Sequence, residues 1–222
     1  MTQEQQKAFQ LQFITHHSDR YTYYQSAEMA LRGGCKWVQL RMKGYAEQEV
    51  EQLALQLQPL CQTYNAVFII DDHVEICKTT GADGVHLGKS DMHPCQAREI
   101  LGENFIIGYT CNTAEDILHS SRLPVDYIGL GPFRFTSTKN NLSPVLGIEG
   151  YRAIMQTCRN NAVHIPVTAI GGITSDAVSE LLQTGVQGVA ISGAILQADN
   201  PTKETKEIMR KIHLHTKQKQ NG

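Results

Sequence analysis

Residues 68–91 read FIIDDHVEICKTTGADGVHLGKSD, and the spacing of the apolar runs in this stretch restricts what the chain can become. Val67-Phe68-Ile69-Ile70 and Gly84-Val85-His86-Leu87 each end in polar and acidic residues, with room for one helix between them. That pattern is a strand, helix, strand unit. A helical crossover returns the second strand parallel to the first, which brings Asp71, Asp72 and Asp91 to one edge of the sheet. Carboxylates converging there are hard oxygen ligands of the kind Mg²⁺ takes, one or two at a time, together with waters and substrate phosphates. The plainer alternative is that Asp72 caps the following helix and Asp91 ends a turn.

The same alternation runs along the whole chain. Phe9, Leu11 and Phe13 alternate with Gln10 and Gln12 in a first strand over 9–15. Further strands are predicted at 37–42, 67–70, 84–87, 105–110, 127–131, 166–170 and 188–191. Helical spacing falls between them, as in Val50, Leu53, Ala54, Leu57, Leu60, Cys61 and Tyr64. Gly33-Gly34 ends the first helix, Pro94 sits in the first turn of another, and Thr113 and Ser175 stand where N-caps belong. A last helix is predicted over 202–215, with 216–222 read as a frayed polar tail. Eight strand–helix alternations with near-continuous apolar strands predict an α/β fold, a single parallel (β/α)₈ TIM barrel over 1–222. No G-x-G-x-x-G turn follows the first strand, which disfavours an open doubly wound sheet.

Charge and composition narrow the partners. With 20 basic against 22 acidic residues and a net charge of -2, the chain has no strong field for nucleic acid or a membrane, so small molecules are the expected partners. The opening MTQEQQKAFQ lacks the apolar core of a signal peptide, and no apolar run approaches the roughly 18 residues a membrane span needs. A cytoplasmic protein is expected, with homo-oligomerisation left open. Cys35, Cys61, Cys77, Cys95, Cys111 and Cys158 form no C-x-x-C pair and read as free, mostly buried thiols.

In a barrel of this kind chemistry sits at the C-terminal ends of the strands. The residues there are Gln39, Arg41, Lys43, Asp71, Asp72, Asp91, Thr110, Thr136, Ser137, Thr138, Lys139, Gly171, Gly172 and Ser192. Cations, hydroxyls, glycine turns and carboxylates together describe a site for a phosphorylated ligand and a metal, and no Ser-His-Asp or Cys-His pattern competes. Gly171-Gly172 and Ser192-Gly193 follow strands seven and eight, where barrels bind phosphate through backbone N–H groups; ordinary tight turns are the plainer reading. Arg41 and Lys43 alternate with Leu40 and Met42, so both charges point to one side. The long loop 132–147 carries Lys139, placed to reach a second phosphate or to seal the site. His16, His17, His73, His86 and His93 show no metal-ligand spacing. His86 reads as a hydrogen-bonded barrel or interface residue, and His16 and His17 as neighbours of the site.

Taken in order, Gln39-Leu40-Arg41-Met42-Lys43, Phe68-Ile69-Ile70-Asp71-Asp72, Gly84-Val85-His86-Leu87-Gly88-Lys89-Ser90-Asp91, Gly131-Pro132 with Thr136-Ser137-Thr138-Lys139, Ala169-Ile170-Gly171-Gly172-Ile173 and Ala190-Ile191-Ser192 span nearly the whole chain. In this combination the chain resembles the thiamine-phosphate synthase family, also called thiamine-phosphate pyrophosphorylase. The resemblance implies a Mg²⁺-dependent transferase that joins hydroxymethylpyrimidine diphosphate to hydroxyethylthiazole phosphate, giving thiamine phosphate and pyrophosphate. Pyrophosphate would leave first, and the thiazole nitrogen would capture the pyrimidine methyl cation without a general base.

Carried over residue by residue, Asp72 and Asp91 would hold Mg²⁺, and Arg41, Lys43, Thr110 and Lys139 the diphosphate. Arg41, Lys43 and Lys139 would be the catalytic residues. Gln39 would contact the pyrimidine, while Thr136, Thr138, Gly172 and the Ile191-Ser192 backbone would place the thiazole and its phosphate. Asp71 and Ser137 would be further substrate contacts. Two departures from the family matter most: Met42 stands where Glu is usual and Asp71 where Asn is usual; Thr110 stands for the usual Ser and keeps the hydroxyl, and Phe135 stands where Pro is common. Met42 is expected to leave Arg41 and Lys43 freer for phosphate, and Asp71 to add negative charge near the diphosphate. A thiazole tautomerase on the same barrel, or a non-catalytic thiamine-phosphate-binding barrel, are the alternatives.

Overall fold

Apolar runs too short for helices become strands here because each is flanked by a helix that covers one of its faces. A computed structural model describes residues 9–135 and 144–220. The strands are β1 (Leu11–Ile14), β2 (Trp37–Leu40), β3 (Val67–Asp71), β4 (Gly84–Leu87), β5 (Ile106–Cys111), β6 (Tyr127–Leu130), β7 (Val167–Ile170) and β8 (Gly188–Ile191). Each pairs in parallel with its sequence neighbours, and β8 returns to β1 to close the barrel. This is the (β/α)₈ TIM barrel expected from the sequence.

The helices are α1 (Tyr23–Arg32), α2 (Glu47–Thr63), α3 (Val74–Thr80), α4 (Pro94–Leu101), α5 (Ala114–Ser120), α6 (Gly147–Asn160), α7 (Val178–Gln183), α8 (Gly193–Leu196) and α9 (Pro201–Gln220). Local chemistry explains their starts. Thr22 and Gln25 form a capping box at α1, and Thr113 and Asp116 form one at α5. The α4 helix begins with Pro94, whose missing N–H costs nothing there. Among the described residues no helix is long and apolar enough to cross a membrane.

Three elements differ from the sequence reading. Ser175 is not an N-cap: a 3₁₀ turn, Ser175–Ala177, precedes α7, and the Ser175 hydroxyl and carbonyl instead accept from Lys211 Nζ at 3.0 and 2.8 Å. The α9 helix continues past 215 to Gln220, carried by Lys and Gln, which are good helix formers even without an apolar face. The four-residue α8 has no periodic signature because it spans about one turn.

Alternation along each strand sorts the side chains into two sets. Leu11, Phe13, Val38, Leu40, Phe68, Ile70, Val85, Leu87, Ile107, Ile128 and Leu130 join the large apolar core between strands and helices. Phe9, Trp37, Val67, Ile69, Ile106 and Tyr127 form a second cluster inside the barrel. By the same alternation, Gln39, Asp71, His86 and Thr110 follow these inward residues toward the C-terminal mouth. Burying each large apolar side chain contributes on the order of 2 kcal/mol, so the outer set and the barrel floor hold the mouth residues in place. Five of the cysteines are buried and Cys95 is exposed.

Candidate active site

The site grows from the ends of β2, β3 and β4. Gln39, only 2% exposed, donates from Nε2 to Asp71 Oδ1 at 2.6 Å, and Arg41 Nε lies 3.4 Å from Asp71 Oδ2. The next pair outward is Lys43 with Asp72, a direct ion pair. Asp72 adopts a left-handed backbone, φ 66°, and its N–H donates to His86 O at 2.9 Å. Aspartate tolerates this conformation better than most residues, and here it follows the last residue of β3. Asp72 therefore does not cap α3; His73 occupies that position. Asp91 Oδ2 accepts from Gly88 N–H at 2.7 Å, so Asp91 does close a turn as the plainer reading held, and it also meets Asp72 by a side-chain hydrogen bond.

Three carboxylates this close cannot all ionise freely. Burial first, then the Asp72 charge, pushes Asp71 up to about 7 against the pull of Arg41 and Lys43. Burial and the hydrogen bond with Asp91 also raise Asp72, with Lys43 opposing. Burial works against Asp91 as well, but the hydrogen bonds from Asp72 and Gly88 and the Lys43 charge outweigh it and hold Asp91 below the usual carboxylate range. Lys43 is likewise desolvated, yet its bond to Asp72 and the charges of Asp71, Asp72 and Asp91 raise its pKa. Asp72 and Asp91 thus lie side by side with opposite pKa shifts, a paired-carboxylate donor set that a divalent cation fits. Among the described residues no group of three or more His, Cys, Asp or Glu side chains forms a complete metal cage. Two carboxylates with the remaining positions left to water and phosphate suit Mg²⁺.

The expected freeing of Arg41 and Lys43 by Met42 is not found. Met42 is buried, and the two cations are held by Asp71 and Asp72 instead. Burial, then the Arg41 charge, lowers the His16 pKa, which places His16 beside the site; His17 instead lies 3.6 Å from Asp19 on the surface.

Across the mouth, Gly171 and Gly172 have φ values of 92° and 67°. The segment after β6 lies against them: Phe133 N–H donates to Ile170 O and Arg134 N–H to Gly171 O, each at 2.9 Å. A Cβ on Gly172 would come within 2.8 Å of Phe135 O. Loop packing alone therefore accounts for glycine there. Ser192 precedes α8, and its Oγ is buried without a hydrogen-bond partner among the described residues, as is Gln39 Oε1. A buried polar atom left unpaired costs about 1–3 kcal/mol, and a ligand group can relieve it. Thr136, Ser137, Thr138 and Lys139 lie outside the described residues.

This architecture has relatives. The family model described as thiamine monophosphate synthase matches residues 11–195. The chain belongs to the thiamine monophosphate synthase family. A thiamine-phosphate synthase of Bacteroides thetaiotaomicron is 57% identical over 199 residues, 90% of this chain and 95% of the relative. One from Archaeoglobus fulgidus is 35% identical over 200 residues, covering 90% of this chain and 91% of the relative. The solved thiamine phosphate pyrophosphorylase from Pyrococcus furiosus superposes with a TM-score of 0.84 at 33% identity, covering 95% of this chain and 98% of that one. These relatives carry the name of a transferase of thiamine biosynthesis.

The structure brings Gln39, Arg41, Lys43, Asp71, Asp72 and Asp91 into one connected group. Thr110 joins it from the barrel side through His86, whose Nε2 lies 3.0 Å from Thr110 Oγ1. Tyr127, which contacts the other nitrogen of His86, was missed from sequence. Its signal was Gly108 and Gly129, inward positions of β5 and β6 that lack the side chain a filled barrel would otherwise place there.

Proposed function

We propose that the chain forms thiamine phosphate by transferring the hydroxymethylpyrimidine group from its diphosphate to hydroxyethylthiazole phosphate. The carrying observation is the convergence of Arg41 and Lys43 on Asp71, Asp72 and Asp91 at one mouth of the barrel. Arg41 and Lys43 already face Asp71 and Asp72, which offset their charge, so a diphosphate needs further positive charge to stay. Asp72 and Asp91 would hold Mg²⁺, which when bound supplies that charge at the departing oxygens. Lys43 and Arg41 are fixed in advance by their carboxylates, and fixed cations stabilise charge that develops on a leaving group without reorganising.

The buried Gln39 amide offers its unpaired Oε1 to the pyrimidine, and Thr110 offers its hydroxyl to the diphosphate. Thr136, Ser137, Thr138, Gly172 and the Ile191-Ser192 backbone take the thiazole phosphate, and Lys139 the diphosphate, on the strength of the family motifs. The C–O bond to the diphosphate breaks and a C–N bond to the thiazole nitrogen forms. That nitrogen attacks with its own lone pair, so no base has to remove a proton. A cytoplasmic location is proposed from the small, charged nature of these substrates.

The test is production of thiamine phosphate and pyrophosphate from both substrates, with Mg²⁺ and with a chelator. Mg²⁺-dependent product is expected. Binding of both substrates without turnover under any divalent metal would refute the reading and leave a binding barrel. Conversion of a thiazole tautomer without metal would point to the isomerase.

A further inference from the structure

Inside the barrel runs a line of polar groups of which the transfer as described uses only the last, Thr110. Gln12 on β1 donates from Nε2 to the Tyr127 hydroxyl on β6 at 3.2 Å. That hydroxyl lies 2.9 Å from Nδ1 of His86 on β4, and His86 Nε2 lies 3.0 Å from Thr110 Oγ1 near the end of β5. Gln12, Tyr127 and His86 are 2%, 0% and 5% exposed, whereas Thr110 is half-buried at the mouth. Two glycines make the room. A Cβ on Gly108 would sit 2.1 Å from the Tyr127 ring, and one on Gly129 would sit 2.9 Å from His86 Cε1. The strands give up two interior side chains to seat these rings.

Counting protons sets the direction of the line. Tyr127 accepts from Gln12 and has one proton to give, and among the described residues its acceptor is His86 Nδ1. A neutral imidazole that accepts at Nδ1 carries its proton on Nε2, and that N–H donates to Thr110 Oγ1. The Thr110 hydroxyl then keeps its own proton for a group outside the barrel. We propose that Tyr127 and His86 are positioning residues that hold Thr110 as a hydrogen-bond donor toward an anionic oxygen at the mouth.

The inference rests on the assignment of Thr110 to the diphosphate. With the opposite tautomer, Thr110 would donate inward to His86 and turn only lone pairs toward the anion. An oriented donor avoids reorganisation when charge develops on the leaving group.

The first test needs no turnover. Full-length protein carrying ¹⁵N-histidine, free of ligand and metal, is examined at neutral pH by two-bond ¹H–¹⁵N correlation, with His86 assigned by its loss in His86→Gln. The neutral Nε2–H pattern is expected; an Nδ1–H or imidazolium pattern overturns the proposal. The second test is kinetic. Tyr127→Phe should raise KM for the pyrimidine diphosphate roughly tenfold, the scale of one hydrogen bond to a charged group, and leave KM for the thiazole phosphate unchanged. In a Thr110→Val background the same change should have no further effect on that KM. An equal effect in both backgrounds would mean that Tyr127 acts through packing alone. Absence of thiamine phosphate would refute the proposed function, and the tautomer pattern would still decide the orientation of Thr110.

Discussion

Replacing Asp71 with asparagine should stabilise the metal-free protein, and the gain should grow with pH. Asp71 is 8% exposed, and burial followed by the Asp72 charge raises its carboxyl from 3.8 to about 7. Below about pH 4 the folded and unfolded chains both hold the proton, and the carboxyl has no effect. As pH rises from there toward 7, the unfolded chain loses the proton and the folded chain keeps it, so stability falls. Above 7 the full cost stands, on the order of 4 kcal/mol.

Asparagine removes that cost and keeps an acceptor for Gln39 Nε2; the attraction to Arg41 that it gives up is already counted in the folded value of about 7, and more than a third of the cost is already present at pH 5. The difference between Asp71→Asn and the native chain should therefore grow by about 2–3 kcal/mol between roughly pH 5 and pH 8.5. Urea unfolding followed by circular dichroism, in chelator at both pH values, measures it. A difference that stays constant to within about 1 kcal/mol would refute the reasoning, because it would mean Asp71 is already ionised in the folded protein.

Three further outcomes follow from the site and its scaffold. Asp72→Ala and Asp91→Ala should each abolish Mg²⁺ binding by calorimetry and lower turnover by at least about a hundredfold with an unchanged circular dichroism spectrum; ordinary kinetics in either variant would remove it from the metal site. Gly172→Ala should destabilise by about 1–3 kcal/mol, because φ is 67° and the new Cβ meets Phe135 O at 2.8 Å. Its melting curve settles that, and an unshifted midpoint would show that the loop yields. Thr113→Ala should cost about 1 kcal/mol through loss of the α5 cap, whereas Thr113→Ser should cost little. Chemical denaturation of the two variants compares them.

Much of the barrel was readable because its signals are local. Pro94 opens α4 as the pattern required, and Thr113 caps α5. The same logic failed at Ser175, where capping chemistry was present but the chain entered α7 through a 3₁₀ turn and Lys211, distant in sequence, took the serine's oxygens. At the mouth, the sequence showed which residues stand at strand ends, yet it misjudged their pairing. Met42 was expected to release two cations, whereas Asp71 and Asp72 hold them across the β2–β3 boundary. A residue's charge can be read from its letter, but its partner depends on register.

By itself the sequence determined the number and order of strands, the parallel crossovers and the set of polar residues at the strand ends. Each of these follows from periodicity and from the handedness of short-range connections. Tertiary structure alone decided which carboxylate faces which cation, how far burial shifts them, and that Gly108 and Gly129 clear the space for Tyr127 and His86. These depend on closure of eight strands at one fixed register. Closure brings residues from distant parts of the chain within hydrogen-bonding distance and removes water from between them.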